Sequence, residues 1–250
     1  MALTPAESRR YARHIVLKGI GAIGQQKLKS ARVLIVGAGG LGSPVIAYLA
    51  AAGIGTMGIA DDDLVSVSNL QRQIIHTNSG IDANKALSAK MFVQGLNPDL
   101  SVTALPHRID EKNGLAVLAG YDLVVDGTDS FSARAAIATV AQESKKPLVS
   151  GAVSMFDGQV TVFAPHLLDM TGQSNPRFTD LYPNAPNEGA LPNCEEVGVL
   201  GATTGVIGTL MAMEVIKLVT QTGKPLIGRL LLYDGRNALF SEMKYRRRDA

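Results

Sequence analysis

The 250-residue chain is 46% hydrophobic and 18% charged, which excludes a disordered chain and leaves enough apolar mass for a sizeable core. A net charge of +2, with Lys and Arg spread along the chain except for Arg246–Arg248 at its end, gives no footprint for nucleic acid. A single cysteine, Cys194, excludes an internal disulfide framework and a Cys-rich zinc site.

Residues 4–30 read as two short amphipathic helices, and the opening MALTPAESRRYARH lacks the apolar core of a secretion signal. RVLIVG (32–37) is a continuous apolar run of strand length, and the Ala-rich LGSPVIAYLAAAG after it has helical spacing closed by Gly53. TMGIAD (56–61) predicts a second strand and NKALSAKMFVQGLN (84–97) a helix ended by Asn97-Pro98. SVTALP and DLVVDGTD (122–129) follow as strands, then RAAIATVAQESKK as a helix leading into the strand PLVSG. This alternation predicts an α/β, Rossmann-like domain with a mostly parallel sheet flanked by helices. GQVTVFAP, GRLLLYD and ALFSEMKY predict later antiparallel or mixed strands in the same sheet. One domain over residues 1–250 is expected.

Two stretches have other textures. VGVLGATTGVIGTLMAM (197–213) is apolar but falls short of the roughly 20 residues of a membrane span, and it runs into Glu214 and Lys217. It predicts a buried, Gly-rich helix in a soluble, cytoplasmic protein with no membrane partner. Residues 165–196 hold five prolines and no period, as expected of a loop that covers a substrate.

The strand RVLIVG runs straight into GAGGLG, which places Gly37, Gly39, Gly40 and Gly42 between a strand and a helix. Absent side chains let the backbone turn tightly beside a phosphate, which the helix N-terminus favours electrostatically. Asp61 ends the next strand at the spacing of a carboxylate that accepts from ribose hydroxyls. Together these predict a nucleotide site without saying which nucleotide. An NAD-dependent oxidoreductase is the default reading at this point.

The residues beyond Asp61 depart from that default. GAGGLG, the Asp61/Asp63 pair, SNLQRQ (68–73), Lys85 and DGTDS (126–130) resemble the MoeB/ThiF family, bacterial relatives of ubiquitin-activating enzymes. The likeness extends from RYARHI at Arg10–Ile15 to LYDG near the C-terminus, through GQVTVF and EEVGVLG. The resemblance implies ATP- and magnesium-dependent adenylylation of the C-terminal Gly-Gly carboxylate of a ubiquitin-like sulfur carrier, with pyrophosphate released. Such a reaction brings two anions together. At about 4 Å and an effective dielectric near 20 each unit-charge pair is worth roughly 4 kcal/mol, so cations must sit against the phosphates. Arg72 offers a planar fork for two phosphate oxygens and Lys85 a point charge.

The resemblance assigns further roles. Gly40 and Asp61 contact the nucleotide, Asp61 on the ribose. Ser68, Asn69, Leu70 and Gln71 line the ribose and phosphates together with Arg72 and Lys85. Asp129 is associated with magnesium, with Ser130 beside it in place of the usual asparagine. Arg13 reaches into the neighbouring subunit's site, which implies a homodimer with composite sites.

Many relatives carry two C-x-x-C pairs that hold a structural zinc, and this chain has neither. No zinc is expected. Arg177 and Asp180 stand where the first pair would be, as an exposed ion pair of small worth. Cys194 falls where some relatives have a cysteine that bonds the carrier during sulfur transfer; a small loop cysteine without chemistry is the equal alternative. With no sulfurtransferase-like extension in the sequence, a separate sulfur donor is expected. Activation of a small carboxylate, such as one on a modified tRNA base, is the remaining alternative within this enzyme type.

Overall fold

The computed structural model of the chain describes residues 2–184 and 197–248. The first apolar run forms β1 (Arg32–Val36), buried at four of its five positions. Such a run suits a strand covered by helices on both faces. Beside it lie β2 (Thr56–Ala60), β3 (Ser101–Leu105), β4 (Leu123–Asp126) and β5 (Leu148–Ser154). All five are parallel, in the order β3-β2-β1-β4-β5, and Ile35 is in register with Ile59 and Val125. The chain then doubles back. β6 (Asp157–Phe163), β7 (Arg229–Asp234) and β8 (Leu239–Lys244) add three antiparallel strands, making eight in all. The expected architecture is the observed one.

Helices among the described residues include α1 (Pro5–Arg10), α2 (Ala12–Ile15), α3 (Gly21–Ser30), α4 (Gly42–Ala52), α5 (Lys85–Leu96), α6 (Gly114–Leu118), α7 (Phe131–Glu143), α8 (Phe178–Leu181) and α9 (Gly201–Thr220). They divide between the two faces as the period of two in β1 directs. Val33 and Ile35 point into one core with Leu28, Val45, Leu49, Val93 and Met211. Leu34 and Val36 point into the other, with Leu118, Val124, Ile137 and Phe178. From β1 the chain moves outward through β2 and β3, then returns to place β4 on the opposite side of β1. That reversal opens a crevice beyond the carboxyl ends of β1 and β4, where ligands bind in open α/β sheets.

Some elements differ from expectation. The N-terminal segment makes three helices; Gly19 lies before α3 and Gly21 opens it, both at positive φ. α6 and α8 have five and four residues, too few to print a helical period. α7 begins three residues early, at Phe131, because the Ser130 hydroxyl accepts from the Ala133 N–H at 3.2 Å and caps it. α9 runs for 20 residues, so by length and composition it is long enough to cross a membrane. The shortfall read from the sequence does not hold. The helix lies along α4, β5 and β6. It carries a buried carboxylate, Glu214, which accepts from the Leu226 N–H at 2.8 Å and pairs with Lys217.

Arg177 and Asp180 do pair, but not on the surface as expected. The Asp180 side chain is only 2% exposed. Its carboxylate accepts from the Arg177 N–H at 2.7 Å, from the Arg177 guanidinium at 3.2 Å and from the Arg248 N–H at 3.1 Å. One carboxylate thus ties the C-terminal segment to α8. Tyr245 adds a second tie, its hydroxyl 2.7 Å from that of Thr161. Burial raises the Asp180 carboxyl, but the hydrogen bonds from Arg177 and Arg248 more than offset it and leave it below the usual carboxylate range. A lowered folded-state value means stabilisation that is complete above the unfolded value, about 4, and lost as pH falls through the folded one. Asp180→Ala is expected to cost on the order of 2 kcal/mol at pH 7, less than a fully buried pair because Arg177 keeps partial exposure. Urea unfolding at several pH values checks this: the gap between wild type and variant should close below pH of about 4, and a gap independent of pH would contradict it.

Candidate nucleotide and phosphate site

The chain leaves β1 through Gly37, whose φ of 93° is open only to glycine at low cost. A side chain on Gly37 would meet the Gly127 carbonyl oxygen at 2.8 Å, and one on Gly42 would overlap the Gly37 carbonyl. The GAGGLG turn is therefore pressed against the end of β4, and α4 starts from it with its N-terminus facing the crevice. Each peptide end of Ala38 is tied down. Its N–H donates to Asp61 Oδ2 at 2.7 Å, and its carbonyl lies 2.9 Å from His76 Nε2.

Asp61 also accepts from the Asp63 N–H at 2.9 Å. Burial raises its carboxyl above the ordinary value, against the pull of the Ala38 hydrogen bond and the Lys85 charge. Lys85 is the first residue of α5. Asn84 caps that helix, accepting from the Ala86 and Leu87 N–H groups at 2.9 and 3.2 Å. The Lys85 side chain is 7% exposed, and its ammonium pairs with Asp63 at 2.8 Å. Asn84 Nδ2 donates to the carbonyls of Asp61 and Asp63 at 2.9 and 3.2 Å. The acidic end of β2 and the lysine are thereby one unit.

Arg72 approaches from the other side. Its Cγ lies 3.5 Å from where a side chain on Gly40 would begin, and Nη1 donates to the Ser68 carbonyl at 3.1 Å. Any side chain on Gly201 would overlap the Gln71 carbonyl, so α9 begins against the same loop. Asn69 is buried and Leu70 half-buried, while Ser68 and Gln71 are exposed. Asp129, two residues past Gly127, is exposed and without a partner among the described residues. Ser130 is engaged as the α7 cap, a use the reading of DGTDS did not include.

The structure does not bring Arg13 to this turn. α2 follows Tyr11, which packs on Gly53 and accepts from Asn97 Nδ2 at 2.9 Å. Those contacts mark the far end of α4, whose 11 residues span about 16 Å. Arg13 is exposed there. Cys194 and residues 185–196 of the expected covering loop lie outside the described residues.

Four residues of this region, His76, Gln73, Asp126 and Arg134, had no role in the sequence reading. His76 is buried between Ala38 and Ser88, whose Oγ lies 2.9 Å from Nδ1. Burial holds its imidazole below the ordinary value. Gln73 is buried beside Gly39, its Oε1 without a partner among the described residues. Asp126, quoted in the sequence only as the first residue of DGTDS, is fully buried and paired with Arg134 at 3.1 Å. The one available signal for His76 was a histidine adjoining Ile74 and Ile75, which suggests an imidazole carried into apolar surroundings.

The carboxylates of Asp61, Asp62 and Asp63 lie within 4.8 Å of one another, but Asp61 and Asp63 are already engaged by Ala38 and Lys85. Asp129 is a better fit for a hard cation, which takes one or two carboxylates and leaves its remaining positions to phosphate oxygens and water.

A glycine turn at a sheet reversal, an acidic group at the end of β2 and two cations beside the turn define an α/β nucleotide-binding enzyme domain built for phosphate chemistry. The chain belongs to the ThiF family, whose model matches residues 11–250, and it is an E1-like adenylyltransferase of the MoeB/ThiF type. It is 45% identical over 247 residues to the sulfur carrier protein adenylyltransferase of Thermus thermophilus, covering 99% of this chain and 90% of that one. The SAMP-activating enzyme E1 of Haloferax volcanii is 43% identical over 246 residues, 98% of this chain and 88% of that one. In fold it is similar to E. coli MccB in complex with MccA-N7isoASN, at a TM-score of 0.82 and 20% identity over 96% of this chain and 72% of that one.

Proposed function

We propose that the chain uses ATP to adenylylate the C-terminal Gly-Gly carboxylate of a ubiquitin-like sulfur-carrier protein. The observation that carries this is Arg72 against Gly40 together with Lys85 beside Asp61 and Asp63, of which Asp61 holds the same glycine turn through the Ala38 N–H. Hydride transfer has no departing anion for these cations to stabilise. The names of the Thermus and Haloferax relatives point the same way.

In this reading the carrier's terminal carboxylate oxygen attacks the α-phosphorus of ATP. A carboxyl–phosphate bond forms, the α–β bridging bond breaks, and its electrons leave on pyrophosphate. Arg72 and Lys85 neutralise the phosphate charge that would repel the carboxylate and stabilise what accumulates on the leaving group. Asp61 accepts from ribose hydroxyls and so holds the sugar while the phosphates react. Asn69 and the residues around it, Ser68, Leu70 and Gln71, line the same turn. Asp129 would hold magnesium, which supplies further neutralisation of phosphate charge when bound. A separate sulfur donor then attacks the acyl carbon of the adenylate, and the bond to AMP breaks as AMP leaves.

Arg13 serves a partner subunit in this reading, since α2 stands a helix length from its own chain's turn. The protein would be a homodimer with composite sites. Arg177 and Asp180 do not form a zinc donor set, because a guanidinium is no ligand for zinc.

Incorporation of labelled pyrophosphate into ATP tests the activity. Exchange should appear with a carrier ending in Gly-Gly. Tight NAD(H) binding with no ATP binding would favour an oxidoreductase instead.

A further inference from the structure

We infer that His76 is a positioning residue that presets the phosphate-binding turn, by fixing which way the peptide between Ala38 and Gly39 faces. This rests on the nucleotide reading of that turn, and extends it to a residue that does not itself touch the nucleotide.

The turn has an inherent weakness. Ala38 stands between Gly37 and Gly39, and glycine permits both signs of φ at little cost. Nothing in the local sequence stops the flanking peptide planes from turning over. In a trans peptide the carbonyl of one residue and the N–H of the next point in opposite directions. The Ala38 carbonyl and the Gly39 N–H are such a pair. If the carbonyl turns inward, the N–H faces the crevice and can bind an anion; if the plane flips, a carbonyl oxygen faces the phosphate instead. The first arrangement attracts, the second repels.

His76 selects the first. Its Nε2 lies 2.9 Å from the Ala38 carbonyl oxygen. A carbonyl can only accept, so Nε2 carries the proton. The neutral ring then accepts at Nδ1 from the Ser88 hydroxyl, 2.9 Å away. Burial favours that neutral form. The Gly39 N–H has no partner among the described residues, as expected of a donor kept for a ligand. Asp61 holds the preceding plane through the Ala38 N–H, so each end of the residue has its own anchor. Ser88 lies on α5, one turn past Lys85. The imidazole therefore references the glycine turn to the helix that carries a phosphate-facing cation.

The test is the affinity of a nonhydrolysable ATP analogue, measured by calorimetry on wild type, His76→Leu and His76→Gln, with thermal unfolding alongside. His76→Leu leaves the Ala38 carbonyl without its donor and should weaken the analogue about tenfold or more. His76→Gln carries an N–H to the Nε2 position and should restore most of that loss. Steady-state kinetics should show the change in KM for ATP, with kcat at saturating ATP and KM for the carrier much less affected. A purely structural histidine would lower the unfolding temperature and leave that KM alone. A folded His76→Leu with wild-type affinity overturns the inference. Should His76→Leu fail to fold, His76→Asn replaces it: its amide reaches only the Nδ1 position, so it should bind weakly where His76→Gln binds well, and equal affinities overturn the inference. Failure of the wild type to bind the analogue at all is a different result, which removes the nucleotide reading itself.

Discussion

Arg72→Ala should lower the rate of adenylylation about a thousandfold while leaving the protein folded. The size follows from what the guanidinium opposes. Charge accumulates on the departing pyrophosphate, and a preorganised cation in a low-dielectric site is typically worth about 10²–10⁵ in rate. Stability should hardly change, because the side chain is partly exposed and makes a single hydrogen bond among the described residues, to the Ser68 carbonyl at 3.1 Å. A loss below about 1 kcal/mol is expected for such a position. Arg72→Lys keeps the charge but not the fork, so it should recover only part of the rate. Stopped assays of acyl-adenylate formation, with unfolding temperatures on the same preparations, check both halves. Near-normal turnover in Arg72→Ala would remove the role given to it.

The second large effect concerns folding. Arg134→Ala should destabilise the protein by about 3–5 kcal/mol, a large share of the roughly 5–15 kcal/mol that holds a domain of this kind together. Asp126 is fully buried at the end of β4. It accepts from Arg134 Nε at 3.1 Å, from the Ser150 hydroxyl at 2.9 Å and from the Thr128 N–H and hydroxyl at 3.0 and 2.6 Å. Removing the guanidinium leaves a buried carboxylate without its countercharge, which costs far more than the pair contributes by existing. The double variant Arg134→Ala/Asp126→Ala should therefore lose much less than the sum of the two single losses. Arg134 also donates to the carbonyls of Thr128 and Gly151 at 3.0 and 3.1 Å. Thr128 immediately precedes Asp129, so loosening this network also loosens the residue assigned to magnesium. Urea denaturation of the three variants measures the coupling. Additive losses would show that the two residues do not act as a pair.

These residues also show where sequence alone is sufficient and where it is not. β1, β2, β4 and β5 were readable because strands covered on both faces carry short, mostly apolar runs. The glycine turn and Asp61 were readable because their spacing is local to one strand–turn–helix unit. α6 and α8 were not, being shorter than a pattern needs. Arg134 and His76 escaped for a different reason. Each acts through a partner distant in sequence, Ala38 for His76 and Ser150 and Gly151 for the Asp126–Arg134 network, and pairing at such separation leaves no periodic trace. Asp180 was placed correctly opposite Arg177 but with the wrong exposure, since its burial depends on Arg248 returning from the end of the chain. The role proposed for Arg13 rests on the family resemblance alone; nothing about a charged residue on a four-residue helix points to another subunit.

In the mechanism proposed here, two cations beside a glycine turn let a carboxylate displace pyrophosphate from ATP. Pyrophosphate exchange tests it most directly when run with an intact carrier, with the same carrier lacking its last glycine, and with none. Label should enter ATP only with the intact carrier. Exchange that proceeds equally without any carrier, or no exchange with any Gly-Gly carrier tried, would contradict it.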